Sequence, residues 1–420
     1  MKILIQSALL LDKKSPHHGK KRNVLITHGR ITDIGDKNYA NDRLIDATGM
    51  VLSPGWVDIG SYVGDPGHEY KEDLTSLAKA AAAGGFTDVA VLPNTSPTVQ
   101  TKNEVAYLQH GNDSRLTQLH PMAAVTKGTQ GEELTEMLDL HQAGAVAFTD
   151  GLKPVWHTDI FLKTLQYLQK VNGLLIDHPS DPWLALFGQM HEGIQSTALG
   201  LKGMPRLAEE VALARNLELL HYAGGRLHIH KVSTARALDL IRAARKKGLN
   251  VTCDVTTYQA LIDDSVLADF DTNYKVYPPL REKADQDAIV KALKDGTIDV
   301  LTTGHLPQDE ESKMLEFDLA DFGLINLQTA ASQVAALAKA IDLEDLLEKL
   351  TDKPRALLGL PLATIAEDEK ANLTLFAPEA EWTFTVEENL SKSKNSPWLG
   401  RPLTGRAVAT FHNGKHAIYE

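Results

Sequence analysis

Short apolar runs recur along this chain, and between most of them the apolar positions shift to helical spacing. The stretch 53–94 sets the pattern. Residues 56–59 are an apolar run after Pro54-Gly55, residues 70–83 are rich in helix formers and are stopped by Gly84-Gly85, and residues 86–92 are a second apolar run ended by Pro93-Asn94. Strand, loop, helix and strand in that order make a βαβ unit, the building block of a parallel sheet. Six more apolar runs follow, at 118–125, 145–148, 174–177, 226–230, 250–255 and 298–303. Helical stretches at 132–143, 160–171, 205–221, 234–247 and 285–294 separate most of them. Eight βα repeats predict an α/β fold, a (β/α)8 TIM barrel over residues 54–361. Further helices at 323–340 and 343–350 lead to Pro354, which reads as the end of the barrel.

The two ends of the chain carry a different rhythm. Short β-branched pieces at 23–27, 30–34 and 44–46 are punctuated by Gly29 and Gly35. Pieces at 373–376, 382–386 and 406–412, with a turn at Asn413-Gly414, match them at the other end. These predict one small β-sandwich domain assembled from residues 1–53 and 362–420.

Composition narrows the function. The formal net charge of −12 disfavours a phosphate backbone as partner, so nucleic acid is not expected. The single cysteine, Cys253, rules out an intrachain disulfide and suits a reducing cytoplasm; mid-strand, it reads as a small buried apolar residue. The opening apolar run is broken by Gln6 and Ser7 and followed by Asp12-Lys13-Lys14, which reads as a strand and not a signal peptide. No run approaches the ~20 apolar residues of a membrane helix, so no membrane partner is expected.

Chemistry in such barrels sits at the C-terminal strand-ends. Pro54-Gly55, Asp58, Pro66-Gly67, Tyr70-Lys71-Glu72-Asp73, Gly84-Gly85-Phe86-Thr87 and Pro93-Asn94-Thr95 together resemble the start of dihydroorotase, a zinc enzyme of the amidohydrolase superfamily. The resemblance runs on to Gly359 and into the tail at Ser391-Lys392-Ser393-Lys394-Asn395 and Pro397. With Pro278-Pro279-Leu280-Arg281 it is similar to dihydroorotase more than to allantoinase or hydantoinase. It implies a barrel of the amidohydrolase type and the opening of a cyclic amide, for which zinc polarises the carbonyl and supplies hydroxide.

The strand-ends depart from the family's motifs. Where the family has His-x-His-x-Arg at the first strand, this chain has Gly60, Tyr62 and Gly64, so two metal ligands and a substrate-gripping arginine are absent. The fourth strand ends Phe148-Thr149-Asp150-Gly151, one residue out of clean alignment; Asp150 reads either as a relic of the metal-bridging carboxylate or as a turn-forming Asp-Gly. His178 after the fifth strand matches a metal-binding histidine. After the sixth, His228-Ile229-His230-Lys231-Val232-Ser233-Thr234 resembles the family's His-Ile-x-His-Val-Ser-Thr, with Lys231 in place of a second ligand. His230 is one residue out of register and is expected on the other side of the strand. Lys231 is expected to pair with Asp150 or Asp177. Tyr277 replaces a substrate-contacting asparagine, while Arg281 is kept. The eighth strand reads Thr303-Gly304-His305-Leu306-Pro307-Gln308 against Thr-Asp-His-Ala-Pro-His: Gly304 takes the place of the ligand that also shuttles the proton, and Gln308 that of a substrate-contacting histidine. Asn94 is the substrate-contacting side chain that matches.

The candidate site is thus a vestigial pocket of Asn94, Asp150, His178, Lys231, Arg281 and His305, with motif losses at Gly60, Tyr62, Gly64, Gly304 and Gln308. No catalytic residue, metal or cofactor is expected. If zinc were retained, His178 and Asp150 would be its two remaining ligands, short of the four that give a structural site about 10–16 kcal/mol. The resemblance implies three functions in order of fit. The first is a non-catalytic dihydroorotase homologue of de novo pyrimidine biosynthesis that acts as structural partner of aspartate transcarbamoylase, within a homo-oligomer. The second is an amidohydrolase with a rebuilt site acting on a cyclic amide such as dihydroorotate. The third is an ordinary zinc dihydroorotase.

Overall fold

The computed structural model describes residues 1–419. Five strands precede the barrel: β1 (Lys2–Leu10), β2 (Lys21–Thr27), β3 (Arg30–Gly35), β4 (Arg43–Asp46) and β5 (Val51–Pro54). The barrel begins with β6 (Trp56–Ser61), β7 (Phe86–Val91), β8 (Gln118–Ala123), β9 (Ala147–Phe148) and β10 (Leu174–Asp177). A two-stranded pair, β11 (Met190–His191) and β12 (Gly203–Met204), interrupts it before β13 (Arg226–Ile229), β14 (Val251–Thr256) and β15 (Val300–Thr302). Three strands close the chain: β16 (Leu373–Thr383), β17 (Pro402–His412) and β18 (Lys415–Ile418).

The eight strands β6-β7-β8-β9-β10-β13-β14-β15 pair in chain order and in parallel, the (β/α)8 arrangement that the repeats predict. Alternation along each strand divides the core. Trp56, Phe86, Leu119, Phe148, Leu175, Leu227 and Cys253 face outward into a core shared with helix residues such as Leu77, Phe161, Leu213 and Ile241. Ile59, Ala90, Met122, Ala147, Ile176 and Val300 point inward and fill the barrel.

The ladder is open between β6 and β15, and a buried carboxylate bridges the gap. Asp58 on β6 accepts from the Thr303 backbone N–H at 2.6 Å, from the Thr302 and Thr303 hydroxyls at 3.0 Å each, and from Ser61 Oγ at 2.6 Å. The Thr302 hydroxyl also reaches the Ile59 carbonyl at 2.5 Å. Burial pushes the Asp58 carboxyl upward, and these donors oppose the shift.

Both chain ends join in one sheet of order β18-β17-β16-β5-β1-β2-β3, with β4 added to β1. The strand β1 bulges between Ile5 and Ala8, pairing with β4 before the bulge and with β5 after it. Ile3, Ile5, Val24, Leu52, Leu373 and Phe411 share a single core there. The family-like tail clamps the barrel's first loop: Ser391 Oγ bonds to Glu72, Lys392 pairs with Asp73 at 2.6 Å, and Ser393 Oγ donates to the Lys71 carbonyl at 2.7 Å.

Local expectations need four corrections. Residues 132–136 are not helical, because Leu134 bridges Thr126 and the helix is Met137–Gln142. Residues 323–329 form a loop that bridges Leu324 to His305, and the helix is Ala330–Leu337. Strand β16 runs unbroken to Thr383 where two separate pieces were expected. Pro354 lies in the first turn of the helix Asp352–Leu358, where a missing N–H costs nothing, so it ends no element. Among the described residues no helix is long and apolar enough to cross a membrane.

Removing the seam's acceptor would leave one amide and three hydroxyls without their shared partner. Asp58→Ala is expected to lower stability by about 3 kcal/mol or more, read from the urea midpoint. A loss below about 1 kcal/mol would show that β6 and β15 close the barrel without it.

Candidate functional site

The C-terminal ends of the strands converge on a small, dry volume. The position of the family's first ligand is Gly60, with φ +86°, and a Cβ there would overlap the imidazole of His230. His230 therefore does not lie on the far side of its strand, the side expected from its offset against the motif. Leu227 and Ile229 pack into the outer core, so His228 and His230, two apart, both face inward, and the left-handed φ of 58° at Lys231 follows them. The two imidazoles share one carboxylate: His228 Nε2 lies 2.9 Å and His230 Nδ1 2.7 Å from Asp254 Oδ2. The Lys231 N–H donates to Asp254 Oδ1 at 2.6 Å. Against burial, His230 and His228 hold the Asp254 carboxyl well below the usual range.

The ammonium of Lys231 lies in this cluster and not beside the partners expected for it. Its electrostatic neighbours are Asp254 and Asp58, and its pKa is pushed down by burial against their pull. Among the described residues it forms no ion pair with Asp150 or Asp177. Asp150 is taken by the Thr126 N–H at 2.9 Å and hydroxyl at 2.6 Å, and Asp177 by the Val155 N–H at 3.0 Å and Asn216 Nδ2 at 2.7 Å.

His178 Nδ1 donates to the His230 carbonyl at 3.0 Å, which leaves a lone pair on Nε2. Burial, then Lys231 and His230, lower its pKa to about 3, so the ring is neutral. Its Nε2 and that of His230 are buried without a partner. The ring of Tyr277 packs on His178 with centroids 5.0 Å apart, and its hydroxyl is 2.5 Å from Ser180 Oγ. Phe322 meets Tyr277 edge-on at 5.8 Å, and Lys275 lies over Phe322 at 4.8 Å. The space left between His178, Tyr277 and Arg281 is about 10 Å³, room for at most one water.

The other candidate residues have left the site or been consumed. Asn94 donates to the Asp150 carbonyl and accepts from the Leu152 N–H, both at 3.0 Å. Arg281 borders the gap, but its guanidinium is held by Ser233 Oγ at 2.9 Å and Glu209 at 3.4 Å. The His305 imidazole does not join the pocket. It accepts from the Asn326 N–H at 3.1 Å and approaches Glu72 at 3.5 Å, under the helix Leu74–Ala83. Tyr62 packs into the barrel's apolar filling, where burial raises its hydroxyl to about 12. A side chain at Gly64 would strike the His68 carbonyl, and one at Gly304 would press on Thr256 Cγ2 at 2.8 Å and Tyr258 at 3.0 Å. Gln308 accepts from Lys71 at 2.6 Å and donates to the Phe322 carbonyl at 2.8 Å, outside the pocket. Sequence reading missed Asp254, the hub of the cluster, although the spacing of His228 and His230 by two along a strand was its visible signal.

This donor set does not fit zinc. Among the described residues no three His, Cys, Asp or Glu side chains are grouped to hold a metal ion. Two histidine lone pairs remain beside an ammonium, and both Asp150 oxygens are engaged.

A family profile described as Dihydro-orotase-like matches residues 49–237. A dihydroorotase of Syntrophotalea carbinolica is 39% identical over 421 residues, spanning 99% of this chain and 98% of that protein. The chain belongs to the dihydroorotase family. A dihydroorotase of Geotalea daltonii is 38% identical over 420 residues, 99% of each chain. Solved structures show the same fold. The L-hydantoinase of Arthrobacter aurescens superposes with a TM-score of 0.84 at 22% identity, over 99% of this chain and 96% of that one. The dihydropyrimidinase of Brevibacillus agri gives 0.82 at 24% identity, over 100% and 95%.

Burial raises the Asp150 carboxyl to about 6, against the pull of Thr126. A folded value above the unfolded one of about 3.9 means that the buried charge weakens the fold. That cost is absent below the unfolded value, grows through the interval and is full above pH 6. Asp150→Asn is expected to stabilise the protein at pH 8 by about 1–3 kcal/mol, with the gain shrinking toward pH 4 in denaturation curves. A gain that does not change with pH would remove charge burial as its cause.

Proposed function

We propose that this dihydroorotase-family chain is non-catalytic and serves as a structural partner of aspartate transcarbamoylase, the preceding enzyme of pyrimidine synthesis. The observation that carries the reading is the His230 imidazole in the space where the family's first ligand would stand. The chain cannot restore that ligand without moving His230 off Asp254, which anchors the cluster. Three further features support it. Lys231, a side chain without an imidazole nitrogen, takes a second ligand position. Gly304 has no side chain to shuttle a proton. The Tyr277 plug leaves no room for a six-membered ring beside His178. A barrel that keeps its scaffold without a usable site fits a role in assembly.

Purified protein is expected to hold sub-stoichiometric zinc by elemental analysis, and to turn over neither dihydroorotate nor carbamoyl aspartate above background. It is expected to co-elute with aspartate transcarbamoylase from the same organism in gel filtration. Turnover that disappears in His178→Ala would instead establish an amidohydrolase with a rebuilt site. Separate elution of the two proteins would remove the partner role.

A further inference from the structure

Among the large apolar side chains that face solvent, one group stands on the segments that follow β10, β14 and β15. Trp183 is 77% exposed, Phe187 71%, Ile194 81%, Met314 76% and Leu319 63%, and Phe270 is exposed beside them. All six lie on the segments that follow barrel strands β10, β14 and β15, Ile194 at the start of the helix Ile194–Leu199 and the rest in loops, at the C-terminal end of the barrel. Exposed apolar residues are usually scattered singly, and a cluster with three bulky aromatic side chains marks a contact surface.

The loops beneath them form one platform. Met190, Tyr258, Tyr274, Phe317 and Leu324, drawn from all three loops, pack in a single small core. The Lys275 ammonium donates to the Phe317 carbonyl at 2.6 Å, Thr272 Oγ1 to the Lys313 carbonyl at 2.8 Å, and the Gly323 N–H to the Lys275 carbonyl at 2.8 Å. A surface held in this way loses little entropy when it is covered.

Charge then selects what covers it. Residues 182–189 contain no charged side chain, like the centre of a protein interface, and the cation against them is Lys202, over the Phe187 ring at 5.3 Å. The neighbouring loop 310–321 exposes Glu310, Glu311, Glu316, Asp318 and Asp321. Its one lysine, Lys313, is buried, with its ammonium on the carbonyls of Asp321 and Gly323 at 2.8 and 3.0 Å. Lys71 reaches Asp321 at 3.4 Å and leaves the rest of the edge acidic. A nucleic acid or an anionic membrane would be repelled, and a second copy docked rim to rim would bring two acidic loops together.

We propose that this rim is the docking surface for a folded partner protein whose contact face is apolar at its centre and carries lysine or arginine along one edge. The proposal rests on the partner role above and adds where the partner sits and what its face must be. Six large side chains expose on the order of several hundred Å², the core of an interface of roughly 800 Å² per partner.

The test measures binding of the full chain to aspartate transcarbamoylase by sedimentation velocity and surface plasmon resonance. Three variants are compared with the native chain: Trp183→Glu with Phe187→Glu, Glu316→Lys with Asp318→Lys, and Leu44→Glu on the β-rich domain. The apolar pair is expected to weaken binding about 30-fold or more. The charge pair is expected to slow association and flatten its salt dependence, and Leu44→Glu to change neither. Native binding with both rim variants unaffected overturns the surface and leaves the partner role standing. No complex with the native chain overturns both. Self-association of the native chain that the apolar pair abolishes makes the occupant a second copy and rejects the proposal.

Discussion

The structure turns on one constraint: eight parallel strands bury carboxylates at their shared core, and a buried carboxylate needs donors from the chain itself. Asp58 meets this with three donors across the seam and a fourth, Ser61, on its own strand. Asp254 meets it with two imidazoles and the Lys231 N–H. The buried negative charge also needs a cation nearby. Lys231 is the basic side chain that Asp254 and Asp58 pull on, against the burial that lowers its pKa. A left-handed backbone at a lysine costs about 1–2 kcal/mol. It persists because the same turn brings His230 and the Lys231 N–H onto Asp254.

That arrangement explains why some family-like motifs are kept while others are gone. Tyr70-Lys71-Glu72-Asp73 and Ser391-Lys392-Ser393-Lys394-Asn395 lie far apart in the chain but bond to one another. Asp73 also caps the helix Leu74–Ala83, and Asn395 accepts from the Gln308 N–H at 3.1 Å. These residues hold loops in place whether or not a substrate binds. Gly60, Lys231 and Gly304 stand where a side chain mattered through a metal or substrate, and each is now built into a packing arrangement that a ligand would disrupt.

Much of this was legible in sequence, for reasons that differ by residue. The barrel was readable because burial on both faces makes each strand a continuous apolar run, as in 86–92. The losses at Gly60 and Gly304 were readable because a missing side chain needs no geometry to interpret. The role of His230 was misjudged: alternation from His228 already places it inward, but the family motif, offset by one residue, drew attention to Lys231 instead. His305 misled for the opposite reason. Its motif position is right, but its ring is drawn to the Asn326 N–H and Glu72, partners that come from distant loops. The loop after β10 hid a strand pair and a helix, Ile194–Leu199, because runs of two residues carry no period.

Sealing the mouth also changes what its loops can be. Over a working site, loops must part for substrate and are drawn from the less stable end of the structure. Here Tyr277 bridges His178 and Ser180, and Phe322 and Lys275 extend that contact into the loop after β15. Loops that need not part can share a core, and Met190, Tyr274 and Phe317 do so. A shared core fixes the side chains above it, which gives exposed residues such as Trp183 and Met314 defined positions. The contacts of Tyr277 that link these loops therefore also supply the rigidity that a contact between folded surfaces requires.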